Sequence, residues 1–168
     1  MNAKFVLWSL LLASSIPAAQ SQVLTGDAQF SALHDIGWGM SISEIRSLYE
    51  KNQKLMSTTD SSLILNTEFF GVPAPTEIRF QQNKGGAAFI HIKFSEPTKA
   101  LVDTISNHFT RLTQKAPETS TTEKKLFILS LRMEIAKWKT EKESIVLTTA
   151  LRDGTIGDVG LIISRVAN

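Results

Sequence analysis

The run Gly37-Trp38-Gly39-Met40-Ser41-Ile42-Ser43-Glu44-Ile45-Arg46-Ser47-Leu48-Tyr49 constrains this chain most, because it specifies both where a helix starts and which side of it is buried. Ser41 stands at an N-cap position. Its hydroxyl is placed to accept the Glu44 backbone N–H while the Glu44 carboxylate reaches back to the Ser41 N–H. Met40 before the cap and Ile45 after it form a hydrophobic staple that sets the angle of entry. Ile42, Ile45, Leu48 and Tyr49 fall on one stripe, and the helix is expected from Ile42 to about Lys54. Glycines on both sides of Trp38 allow a sharp turn beside a large buried ring. Trp38, Gly39, Met40, Ser41, Glu44 and Ile45 are therefore expected to form a structural cap.

Ahead of this run, Lys4, the apolar stretch Phe5 to Ala13 and the small residues ending in Ala19-Gln20-Ser21 have the pattern of a secretory signal peptide over residues 1–21. That stretch is too short to span a bilayer, and no later run approaches ~20 apolar residues, so no membrane span is expected in 22–168. Residues 22–168 are enough for one domain. The chain has no cysteine, which removes disulfides, thiol chemistry and a lipid-attachment site. A periplasmic, non-lipidated protein is expected. Its 18 basic and 16 acidic residues are interspersed, with Lys4 in the leader, leaving no footprint for nucleic acid or an anionic membrane surface.

Periodicity supplies the remaining elements. The hydroxyl-rich stretch Met56 to Ser62 reads as loop, Leu63 to Phe70 as a strand, and Gly71-Val72-Pro73-Ala74-Pro75 as a connection or sheet edge. Thr76 to Gln81 and Ala87 to Phe94 form a hairpin around Asn83-Lys84-Gly85-Gly86. A second helix opens at Ser95-Glu96-Pro97 and carries Leu101, Ile105, His108 and Leu112 on one stripe, widened by Val102 and Phe109. Ala116 to Thr122 reads as loop. From Leu126 to Trp138, Phe127, Leu129, Leu131, Met133 and Ile135 alternate with more polar neighbours, favouring a long strand; a helix from Thr122 is the alternative. Thr140 to Glu143 makes a polar turn, and Ile145 to Leu151 and Val159 to Val166 are strands around Arg152-Asp153-Gly154. The expected fold is α+β, two helices on one face of an antiparallel sheet of about five to six strands, in the order α-β-β-β-α-β-β-β. A helix followed by strands occurs twice, with no matching motif at the second helix.

Candidate chemistry is sparse. His34, His91 and His108 have no spacing that puts two imidazoles on one helix face, so no metal is expected. His91 reads as an exposed strand residue and His108 as a core-edge histidine. An enzyme would need His34 or His108 hydrogen-bonded to a carboxylate inside a cleft. No nucleophile motif is present. The glycine-rich Asp153 to Gly160 lacks the features of a phosphate or calcium loop and reads as a hairpin turn with a bulge. Trp38 and Trp138 read as core, with Lys137 and Lys139 offering a surface groove beside the second. No cofactor is expected.

The string carried by Gly39, Met40, Ser41, Glu44 and Ile45 resembles the G-M-[ST]-x-x-[EQ]-[VI] helix start of small bacterial envelope proteins such as the BamE/SmpA lipoproteins. That resemblance implies a compact α+β fold with no catalytic residues to transfer. The chain departs from those lipoproteins in lacking the lipid-bearing cysteine and in having extra strands after the second helix. The expected function is a non-enzymatic exported protein that binds another envelope protein, possible forms being an inhibitor or an immunity-type protein. Its binding surface is expected at Ala116–Thr122 and Gly71–Pro75. The alternative is a carrier of a small apolar ligand in a cavity lined by Phe80, Ile90, Phe109 and Leu131.

Overall fold

The computed structural model describes residues 27–52, 54–80, 86–126 and 129–166; the expected signal peptide and the expected turn at Asn83-Lys84-Gly85 lie outside them. A short 3-10 helix, Ala28–Leu33, leads into α1, Ile42–Glu50. Six strands follow: β1 (Leu55–Thr58), β2 (Ser62–Leu65), β3 (Glu68–Phe69), β4 (Val72–Pro73), β5 (Thr76–Phe80) and β6 (Ala87–Lys93). Helix α2 (Lys99–Thr113) then leads to β7 (Glu118–Leu126), β8 (Leu129–Lys139), β9 (Glu143–Arg152) and β10 (Thr155–Arg165). Eight of these strands form one antiparallel sheet in the order β1-β2-β5-β6-β10-β9-β8-β7, and β3 and β4 form a separate two-stranded sheet.

The sheet therefore dominates, and the expectation of two helices on five to six strands is wrong. Three composition-based assignments account for most of the difference. The stretch read as loop from Met56 takes in most of β1, and Ala116 to Thr122 runs into β7. Both are edge strands. With only one neighbour and no deep burial, an edge strand needs no apolar face, and β-branched threonine suits it as well as it suits a turn. Leu63 to Phe70 is interrupted at Asn66 and Thr67, and Gly71 to Pro75 contributes β4. The β3–β4 hairpin closes through Phe70 and Gly71, both at positive φ (55° and 74°). Helix α2 is capped by Thr98 rather than Ser95, its hydroxyl accepting the Leu101 N–H at 3.1 Å.

Registers explain why this sheet holds. Leu63, Ile78, Ile90, Ile163, Ile145 and Trp138 are successive cross-strand neighbours through β2, β5, β6, β10, β9 and β8, and all are at most 2% exposed. Each such aliphatic side chain contributes about 2 kcal/mol of transfer free energy. Ile45 and Tyr49 of α1, Leu101, Ile105 and Phe109 of α2, and Phe30 and Leu33 of the 3-10 helix join the same core. Phe109 links its halves, with ring centroids 5.6 Å from both Phe30 and Trp138.

The topology is symmetric in outline. Each long helix is followed by four strands of the main sheet, and the two meanders meet at their last strands, β6 and β10.

Candidate functional site

The stretch Gly37 to Tyr49 is a structural knot. The capping box is complete: the Ser41 N–H donates to Glu44 Oε2 at 2.7 Å, and the Glu44 N–H donates to Ser41 Oγ at 3.3 Å. The first of these bonds holds the Glu44 carboxyl below its ordinary pKa, since it favours the ionised form. Gly39 has φ +101°, and a Cβ on Gly86 would stand 2.7 Å from the Gly39 Cα, so two backbones meet where no side chain fits. The Ala87 N–H donates to the Met40 carbonyl beside them. Met40 and Ile45 both pack into the core. Trp38 is buried, and its indole N–H donates to Glu143 Oε1 at 3.0 Å across 105 residues of sequence. Tyr49 donates its hydroxyl to the Ala32 carbonyl at 2.7 Å; burial, and secondarily Asp35, pushes its pKa well above the usual phenol value.

The three histidines lie apart. His34 pairs with its neighbour Asp35 at 3.1 Å on the surface. His91 sits on the sheet face away from the helices, over Gly160, where a Cβ would stand 3.2 Å from its Nε2. His108 Nε2 hydrogen-bonds Asp27 Oδ2 at 2.5 Å, and both side chains are largely buried. Asp27 Oδ1 meanwhile caps the 3-10 helix by accepting the Gln29 N–H. The imidazole–carboxylate bond that an enzyme reading required is thus present, and it is packed among aromatic rings. Phe30, Phe70 and Phe109 pack on the imidazole, with centroids 6.1, 5.3 and 5.3 Å away. The pair ties the cap of the 3-10 helix to α2.

Of the glycine-rich stretch Asp153 to Gly160, only Asp153 and Gly154 make the turn, and Thr155 to Gly160 already belong to β10. Asp153 and Gly154 at positive φ join β9 to β10, a bulge follows between Ile156 and Asp158, and Asp153 Oδ1 accepts the Ser130 N–H at 2.9 Å. Among the described residues no group of three or more His, Asp or Glu is placed to hold a metal ion, and no helix is long and apolar enough to cross a membrane. The four residues proposed to line a ligand cavity do not meet. Ile90 and Phe109 are core, while Leu131 is exposed on the opposite sheet face. Lys137 and Lys139 do border a groove, of about 580 Å³, with Lys115, Leu112, Glu118 and Glu141. Trp138 presents almost no surface to it, being 2% exposed.

The least expected feature is the polarity of the β7–β8 ribbon. Trp138 and Ala136 face α2, so by alternation Glu134 and Arg132 share that side, joined by an ion pair at 2.7 Å. Leu131, Met133 and Ile135 therefore point to the other face, where the core residues of the described helices do not lie. Leu131 is 40% and Met133 45% exposed. Their cross-strand neighbours on β9 are Arg152, Ala150 and Thr148, and those on β7 are Lys124, Thr122 and Ser120. Sequence alternation did mark these three residues as an apolar face; it did not reveal that the face would be left open. Comparison with known protein families, curated proteins and solved structures finds no match to this chain.

Proposed function

We propose that this is an exported, non-enzymatic binding protein that holds another envelope protein against the open face of β8. One observation carries the reading: in the first part of β8 the apolar Leu131, Met133 and Ile135 lie on the face away from the helices, while Arg132 and Glu134 share the face that Ala136 and Trp138 turn to the core. Over residues 131–135 a strand folding only for its own core would have the opposite arrangement. Apolar side chains left exposed together on a rigid sheet are the usual signature of an interaction surface. The aromatic packing around His108–Asp27 supports a structural role for the buried pair, and export rests on the leader-like residues 1–21. The binding segment moves accordingly from the Ala116–Thr122 and Gly71–Pro75 segments to the middle of β8.

The test is the double variant Leu131→Lys, Met133→Lys, used in affinity capture from an envelope extract of the native host. A specific protein retained by the wild type and lost by the variant, with the unfolding midpoint unchanged, is the expected result. Equal retention by both would sink the reading.

A further inference from the structure

The two edges of the main sheet are built differently. β1 is four residues long, with a register shift between Leu55 and Ser57. β7 is nine residues long and pairs with β8 through nine consecutive positions without a shift. Residues 118–125 of β7 are all exposed, and β7 contains no proline. Backbone groups along the side of an edge strand that faces away from its neighbour are open to another strand, and natural sheets usually blunt so long and straight an edge. The short, bulged β1 has that protection. The sequence of β7, Glu-Thr-Ser-Thr-Thr-Glu-Lys-Lys-Leu, is acidic at its start and basic towards its end.

From this we infer that β7 pairs antiparallel with β7 of a second copy, about a two-fold axis at Thr121. A two-fold axis normal to the sheet keeps both copies' faces aligned and makes the contact isologous. In this register Glu118 stands opposite Lys124 twice, Thr119 opposite Glu123, Ser120 opposite Thr122, and Thr121 opposite itself. Opposite charges and Thr–Thr or Ser–Thr pairs are favourable cross-strand neighbours. Lys124, which would repel many incoming strands, meets its complement only when the partner presents an acidic residue at that point. A second β7 does so. Association stops at two copies because the remaining edge, β1, is short and bulged. The inference is independent of the proposed binding face, although it would place the two copies' Met133 faces on the same side of one continuous sheet.

The absence of cysteine makes the register directly measurable. In single-cysteine variants at positions 119 to 123, oxidation should cross-link Thr121→Cys most efficiently, because only that residue faces itself within disulfide reach. In sedimentation equilibrium the wild type should dimerise. Glu118→Lys and Lys124→Glu should each weaken the dimer about tenfold, as two opposite-charge pairs become like-charge pairs, and the double variant should recover it. A monomer across a series reaching millimolar protein overturns the inference, as does a cross-linking maximum elsewhere or a dimer indifferent to the charge swaps. A monomer that still loses its partner in the Leu131→Lys, Met133→Lys variant would overturn this inference alone.

Discussion

The two halves of the sheet share a plan, one helix followed by four strands, but not a scale. Strands β1, β2, β5 and β6 run four to seven residues, and β7 to β10 run nine to eleven. In the first half the 3-10 helix, α1 and the β3–β4 hairpin add cover, with Phe69 and Phe70 packed on Phe30. In the second half α2 buries only three residues, Leu101, Ile105 and Phe109. Strands that outrun their helix must end in solvent-facing ribbon, and the ribbon sets two exposed apolar side chains, Leu131 and Met133, beside a nine-residue edge, where the four-residue edge β1 exposes Met56. One half mainly stabilises; the other has surface to offer.

The largest effect expected from this contrast is on stability. Phe109→Ala removes the ring between Phe30 and Trp138 and should cost about 4 kcal/mol, whereas Met133→Ala on the open face should cost less than about 1 kcal/mol. Urea denaturation of both variants decides it; equal losses would mean that the ribbon is as much part of the core as α2. Next in size is a pair of glycines. Gly86→Ala drives a Cβ into the Gly39 backbone and should cost about 2 kcal/mol. Gly160→Ala meets only the side-chain atoms Thr148 Oγ1 at 3.1 Å and His91 Nε2 at 3.2 Å, so its change should stay within about 1 kcal/mol. Thermal unfolding of the two variants would sharpen the contrast or erase it.

The smallest effect concerns the cap. Ser41→Ala should cost about 1 kcal/mol. The Glu44 carboxyl has a lowered folded-state pKa because it accepts the Ser41 N–H, so its stabilisation is present above the ordinary glutamate value. It is lost as pH falls through the lower folded value. The stability gap between the wild type and Glu44→Gln should therefore be open at neutral pH and close in acid. A gap unchanged down to strongly acidic pH would mean that the carboxylate contributes no more than the amide.

Legibility followed range. The capping box joins atoms three residues apart, and the Asp153-Gly154 turn closes over two, so both were readable from residue type alone. The strand character of β8 was readable from alternation, and that of β9 from its β-branched residues ahead of the turn. β7 was not, because an edge strand of threonine, glutamate and lysine has no pattern of burial to display; its pairing with β8 makes it a strand. Glu143 was assigned to a polar turn, yet it is buried against Trp38, and no local signal connects positions 105 residues apart.

By itself, then, the sequence determined the helix start, the tight turn before β10 and the alternating strands, since those depend on bonds and side-chain periods spanning a few residues. Only the tertiary structure decided how many strands join the sheet, and which side of β8 is buried. Trp138 meets Phe109 from the helix side of β8, and by alternation that turns Leu131 and Met133 to the other face.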